Sequence, residues 1–232
     1  MRSSARAFIE ALRWNLRLSM GYGVLPLMLL LALATAAASE APGRAVAASY
    51  LVESFGFAAY SIYLAAGLAA GGRGVQFELN LFSSYEVVYL AKVAAFAISL
   101  SLAALTAGLL GWYLGVLDPV AVLTRWATAT ALFSASLLLT DQRSSILFLV
   151  ILLALTPPAS LVVVNSMVVH GAVGGPNGAV VAFAAFVAPI SMYAFKQYID
   201  IYFYYGLAIA ASGALTAAGL AAFRMIEVNP AD

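Results

Sequence analysis

Long apolar runs alternate with short polar stretches along the chain. Several of the runs approach or exceed the roughly 20 apolar residues with which a helix crosses a bilayer. The predicted spans are Met20–Ala38, Val46–Ala70, Val87–Gly115, Val120–Thr140, a fifth span that begins at Ile146, and Ile201–Phe223. The pattern therefore predicts an all-α polytopic membrane protein that forms a single transmembrane domain over residues 1–232.

The first 19 residues have a different periodicity. Their charged positions, spaced four, four, three and four residues apart, fall on one face of a helix, and apolar positions fall on another. These charged residues are Arg2, Arg6, Glu10, Arg13 and Arg17. The spacing predicts an amphipathic helix over residues 1–19 that lies in the cytoplasmic interface, with its basic face toward anionic lipids. The alternative is an ordinary solvated helix before the first span.

The stretch before the last apolar run is ambiguous. The turn-rich residues HGAVGGPNG (170–178) precede the apolar run Ala179–Phe195, and the polar residues KQYID follow it. Six spans with a re-entrant segment over residues 171–200 and seven spans both fit this pattern. The distribution of Lys and Arg places the N-terminus in the cytoplasm in either case but does not choose between them.

Composition agrees with a membrane protein and excludes several functions. The chain is 64% hydrophobic and 9% charged, whereas a soluble domain has about 25% charged residues. Cysteine is absent, which excludes disulfides, thiolate metal sites and thiol nucleophiles. The net charge of +1 provides no electrostatic footprint for nucleic acid. We expect no cofactor on this chain and no enzymatic activity of its own, so its energy source is another chain or an ion gradient.

Two ionisable residues fall inside predicted spans. Glu53 in the second span and Arg125 in the fourth are predicted to lie at similar depth, where buried charge is costly and indicates function. They either form an inter-helical pair or line a cleft, or they extend to the external interface. His170, the single histidine, lacks a second ligand for a resident haem, although contact with haem as cargo stays open.

The segment GGRGVQFELNLFSSYEVVYLAK (71–92) is a polar and amphipathic island between the second and third spans. Together with the N-terminal helix that leads directly into the first span, it resembles the corresponding region of type-2 ABC transporter permeases. The chain is similar in size and layout to the haem-exporter B-type members of that family. The matching residues are Gly74, Glu78, Leu79, Val87, Val88, Leu90, Ala91 and Lys92.

The resemblance implies a fold and a function. It implies six spans in the plasma membrane, both termini in the cytoplasm, and an external re-entrant segment over residues 171–200. Residues 71–86 would form a cytoplasmic coupling loop that docks on an ATP-binding cassette subunit, which would hold ATP and Mg²⁺. The implied contact residues are Gly74, Gln76, Phe77, Glu78, Leu79, Asn80 and Leu81. A second permease chain, identical or similar, would complete the translocation path of an exporter.

Other functions remain open at this point. A loop of this length with a lysine at the start of a span can be a plain membrane anchor, which corresponds to a non-transporting anchor or assembly subunit. A gradient-driven carrier is less favoured because the sequence shows no internal repeat. The glycine-rich GGRG stretch lacks a following Gly-Lys-Ser/Thr, so it does not predict ATP binding by this chain.

Overall fold

The computed structural model describes residues 4–68, 71–82, 84–139, 141–169 and 177–225, and these residues form helices and short connections without a β-strand. In chain order the helices are α1 (Ser4–Ser19), α2 (Val24–Glu40), α3 (Arg44–Leu68), α4 (Gly71–Phe82), α5 (Tyr85–Tyr113), α6 (Pro119–Ser136), α7 (Gln142–Val169), α8 (Gly178–Val187), α9 (Pro189–Met192) and α10 (Ile201–Phe223). The predicted all-α class is confirmed.

Four of the described helices, α3, α5, α7 and α10, are long and apolar enough to cross a membrane. Helices α1 and α2 form a pair bent by 66°, which raises the number to five if the pair is one span. The protein is therefore membrane-embedded and helical. Six spans were predicted, two more than these four helices. The other two predicted spans correspond to α2, which has only 17 residues, and to α6, whose 18 residues include Arg125 and several threonines.

The N-terminal segment predicted as an amphipathic helix is helical over Ser4–Ser19 as α1, and its two faces differ. Asn15 and Ser19 are buried against the bundle, whereas Arg13 and Arg17 are exposed on the other face. The Ser19 hydroxyl lies 2.8 Å from the hydroxyl of Ser99 in α5. One face of α1 is therefore part of the protein core, and Arg13 and Arg17 lie on the exposed face.

Two contacts show which helix ends lie together. Gln142 at the start of α7 donates to the carbonyl of Ala66 near the end of α3, at 3.2 Å. The ion pair between Arg224 and Glu86, at 2.6 Å, joins the end of α10 to the start of α5. Because α4 connects α3 to α5, these helix ends and α4 share one end of the bundle, which we call the α4 end.

The opposite end contains the turn between α5 and α6. The Tyr202 hydroxyl, at the start of α10, donates to Asp118 in this turn at 2.7 Å. Helix α10 therefore runs from this end, which we call the Asp118 end, to the α4 end.

Two of the spanning helices contain π-helical stretches. Residues Ala48–Phe57 of α3 and Ile151–Leu155 of α7 have this wider turn, which is uncommon and is frequently found at functional sites. In the core between α5 and α6, the rings of Phe96 and Phe133 stack with centroids 4.2 Å apart.

The segment predicted as re-entrant over 171–200 contains α8 and α9, and residues 171–176 of it lie outside the described residues, as does His170. Helix α8 has ten residues, which is too short to cross a bilayer. Ala188, with φ −136° and ψ 49°, breaks the chain between α8 and α9. Two short helices with a break between them thus occupy this segment.

Candidate functional site

Helix α4, which occupies most of the predicted coupling loop, has two different faces. Glu78 is only 2% exposed and faces the bundle, whereas Phe77 and Leu81 are about half exposed, at 52% and 50%. The ring of Phe77 lies 6.4 Å from that of Trp14 in α1, which is also exposed. Helices α1 and α4 therefore form one aromatic and aliphatic surface at the α4 end.

The inward face of α4 is held by a buried cluster of polar groups. The ammonium group of Lys92 in α5 donates to Glu78 Oε1 and to the Leu68 carbonyl, both at 2.7 Å. Asn15 Oδ1 of α1 lies 3.5 Å from the same Lys92 nitrogen. We call these groups, Asn15, the Leu68 carbonyl, Glu78 and Lys92, the Lys92 cluster. A single side chain thus connects α1, α3, α4 and α5.

Local features of the sequence place these groups. Ser84 caps the N-terminus of α5, accepting from the Val87 amide, and this sets Lys92 about two turns into the helix. Asn15 is oriented by a 3.0 Å hydrogen bond from its amide to the Ala11 carbonyl. Both charges of the cluster are buried, so removing either one would leave the other without its counterion.

The predicted coupling residues do not all face the same way. Phe77, Asn80 and Leu81 are exposed, Gln76 and Leu79 are half-buried, and Glu78 is buried. Gly74 lies in the first turn of α4. Phe77, Asn80 and Leu81 are the most exposed of these residues whose exposure the structure describes, and Glu78 contacts Lys92 of its own chain.

Glu53 and Arg125, the predicted intramembrane charges, are both fully buried and both reach the break between α8 and α9. The Glu53 carboxylate accepts from the Ile190 amide at 2.8 Å, and from the amide and hydroxyl of Ser191. Arg125 donates to the Val187 carbonyl at 2.6 Å. The acidic side chain thus binds the start of α9, and the basic side chain binds the end of α8.

Arg125 also makes a second contact, to α7. Its other terminal nitrogen donates to the Leu153 carbonyl at 2.8 Å, within the π-helical stretch of α7. In the described part of the chain, Arg125 and Glu53 form no direct ion pair, although they are close enough to attract one another. We call these two side chains, with the backbone groups that they bind, the helix-break cluster.

The interruptions in the helices explain why these backbone groups are free. The Leu153 carbonyl would accept from the amide of residue 157 in an α-helix and from that of residue 158 in a π-helix. Both residues are proline, which has no amide hydrogen. At the other break, the Ser191 amide, which would bond to the Val187 carbonyl in a continuous helix, is bound by Glu53 instead. Arg125 and Glu53 therefore complete the hydrogen bonds that the breaks leave open.

The backbone partners Leu153, Val187 and Ile190 and the hydroxyl of Ser191 were not predicted from the sequence. The sequence does not show which backbone carbonyl or amide will bind a given side chain, and here the two partners of a hydrogen bond are separated by 28 to 138 residues. The available signal was proline inside an apolar run, at Pro189 and at Pro157–Pro158, because proline frees carbonyls in the preceding turn.

A small cavity lies between α3 and α7, nearer the Asp118 end. Its volume is about 190 Å³, and its lining includes Ser49, Tyr50, Pro158, Asn165 and Phe195. Its lining contains no charged side chain, and Glu53 and Arg125 do not line it. Among the described residues, no group of three or more histidine, aspartate or glutamate side chains is placed to hold a metal ion.

The small residues of α10 form an exposed stripe. Gly206, Ala210, Gly213, Ala217 and Ala221 are all exposed. A Cβ atom added to Gly206 or Gly213 would meet no other atom within 4 Å. Within the described part of this chain, nothing covers the stripe.

Comparison with protein-family models, with curated proteins and with solved structures finds no match for this chain.

Proposed function

We propose that this chain is the membrane-spanning subunit of an ATP-driven exporter, and that α4 is the helix on which a separate ATP-binding subunit pushes. The observation that supports this most is the division of α4 into two faces. Phe77 and Leu81 are exposed at the α4 end, while Glu78 on the opposite face is paired with Lys92 inside the bundle. A helix that only anchored the chain would not need both an open apolar face and a buried ionic attachment.

We further propose six crossings, by α2, α3, α5, α6, α7 and α10, with α8 and α9 as a segment that enters and leaves at the Asp118 end. The contact of Arg224 with Glu86 supports an even number, because it brings the end of α10 to the end of the bundle that contains α1 and α4. Arg13, Arg17 and Arg143 also lie at this end, which supports a cytoplasmic location for it.

The proposed transport path requires a second chain, identical or similar. The exposed small-residue stripe of α10 allows close approach of another helix. The uncharged lining of the cavity between α3 and α7 favours hydrophobic cargo over ions or sugars. ATP and Mg²⁺ belong to the partner subunit in this proposal, and the chain itself performs no chemistry.

Co-purification tests the proposal. The tagged chain is isolated from its native membrane, and the ATPase activity that accompanies it is measured for the wild type and for the double variant Phe77→Ala, Leu81→Ala. We expect the variant to lose at least about 90% of the associated ATPase, as is typical when central apolar anchors of an interface are truncated. The matched control is Phe203→Ala, an aromatic residue of similar exposure in α10 near the Asp118 end, and this variant should retain the associated ATPase.

A different result would support the second function, a non-transporting anchor. In that case the chain would purify with a partner that lacks ATPase activity, and the Phe77→Ala, Leu81→Ala variant would release that partner. A chain that purifies with ATPase activity unaffected by this double substitution would contradict the assignment of α4 as the coupling helix.

A further inference from the structure

Helix α3 takes part in both buried clusters. At its last described residue, the Leu68 carbonyl accepts from Lys92 at 2.7 Å. Fifteen positions earlier, Glu53 accepts from Ile190 at 2.8 Å. At about 1.5 Å per residue, the two contacts are roughly 22 Å apart along the helix. A single helix therefore connects the α4 end of the bundle with the broken segment near the Asp118 end.

The part of α3 between the two contacts is packed on all of its inward positions. Phe57, Tyr60 and Leu64 are fully buried. The Tyr60 hydroxyl also donates to the Ser99 carbonyl of α5 at 3.1 Å. Close-packed interiors transmit displacement instead of absorbing it, because few voids are available. A shift of α3 at Leu68 is therefore passed along the helix to Glu53.

We infer that α3 mechanically couples the two clusters, so that the Lys92 cluster controls how firmly the segment of α8 and α9 is held. A movement of α4 displaces Glu78 and, through Lys92, the end of α3. Glu53 then moves relative to the Ile190 and Ser191 amides, and the segment loosens. Lys92 and Glu53 are positioning residues in this scheme. The coupling gives the proposed push on α4 a route, but it is a property of this chain alone.

Cysteine labelling tests the coupling directly, because the natural chain has no cysteine. Ala184 in α8 is fully buried, so an Ala184→Cys variant reports opening of the segment through its rate of reaction with a maleimide. In purified protein in detergent, we expect Glu53→Gln to raise this rate about tenfold or more, as a local opening does. Lys92→Met should also raise it, although the substitution lies at the other end of α3.

Non-additivity distinguishes coupling from two separate effects. If Lys92 acts through Glu53, then Lys92→Met should add little to the labelling rate once Glu53→Gln is present. Arg17→Met is the matched control, since it removes an exposed cation from the same end of the bundle outside the cluster. This control should leave the labelling rate at the wild-type level.

A second labelling site separates local opening from general loosening. Ala103 in α5 is also fully buried but lies outside the segment of α8 and α9, so an Ala103→Cys variant should stay protected when Lys92 is changed. The inference is overturned if Lys92→Met leaves Ala184→Cys protected, or exposes both sites equally, or adds fully to Glu53→Gln. None of these measurements involves the ATP-binding subunit, so the inference and the proposed function can fail separately.

Discussion

The helix-break cluster leads to a specific prediction about stability. Glu53→Gln keeps the size of the side chain and one acceptor oxygen, but it removes the charge and places an amide nitrogen beside the Ser191 donors. Arg125 then remains buried without the nearby negative charge that attracts it, and the Ile190 and Ser191 donors lose a charged acceptor. Leaving buried donors without a good acceptor costs about 1–3 kcal/mol, and more where the group lost is charged, so we expect a loss of about 3 kcal/mol in the free energy of unfolding.

The double variant Glu53→Gln, Arg125→Met should be less destabilised than the sum of the two single variants. Without either charge, the Ser191 amide is free to bond to the Val187 carbonyl, as in a continuous helix. The coupling energy from the double-mutant cycle should therefore lie in the range of about 0.5–3 kcal/mol that is typical of residues sharing one network. Denaturant unfolding in detergent, followed by circular dichroism, measures all four proteins.

A surface ion pair provides the matched control for this cycle. Glu86 and Arg224 are each about half exposed, at 54%. The corresponding variants Glu86→Gln and Arg224→Met should cost about 1 kcal/mol or less each. Equal losses in the buried and exposed cycles, or strictly additive losses at Glu53 and Arg125, would refute the role that we assign to the helix-break cluster.

Two further predictions follow from contacts elsewhere in the bundle. Gly219→Ala should destabilise the protein by about 1–3 kcal/mol, because the new Cβ atom would displace the Tyr89 side chain. The control Gly213→Ala places its Cβ atom in open space and should be neutral or slightly stabilising in monomeric protein. Equal shifts in melting temperature for the two variants would contradict this prediction. Asp141 caps the N-terminus of α7, where its carboxylate accepts hydrogen bonds from the amide and the hydroxyl of Ser144. These hydrogen bonds lower the pKa of Asp141. The cap therefore stabilises the protein fully above the ordinary aspartate pKa, and this stabilisation is lost as pH falls through the lowered pKa. The protection of the Ser144 amide against exchange, measured relative to the intrinsic rate at each pH, should therefore fall only in acid. Asp141→Asn should abolish that dependence, and an unchanged protection profile in the variant would contradict the prediction.

Hydrophobic patterning predicted the helices of spanning length because such a helix makes all of its backbone hydrogen bonds within one apolar run, so the run alone determines it. The predicted run Val87–Gly115, for example, corresponds to α5 over Tyr85–Tyr113. The segment with Arg125 was predicted as a span from its apolar residues, although the arginine lowers its hydropathy below that of the other spans. Its burial depends on tertiary partners that no local window of sequence contains.

The candidate sites were predictable in their charges but not in their partners. Glu53 and Arg125 were recognised because charge inside an apolar run is costly, and the structure brings both to one place. Glu78 was predicted to face a partner protein because its segment resembles the coupling loop of type-2 ABC transporter permeases. Its pairing with Lys92 depends on how α4 folds back on α5, a geometry that the spacing of 14 residues does not determine.

In the described part of the chain, the buried charges of Lys92, Arg125 and Glu53 each touch backbone at a helix end of matching polarity, although Arg125 also binds the Leu153 carbonyl within α7. Lys92 and Arg125 bind carbonyls at the ends of α3 and α8, and Glu53 binds amides at the start of α9. The partial charges of helix termini favour this arrangement, cations at C-termini and anions at N-termini. In a bilayer a broken helix is tolerated only if its free backbone groups find partners inside the protein. The charges and the breaks therefore stabilise one another, and a movement that separates them must expose both.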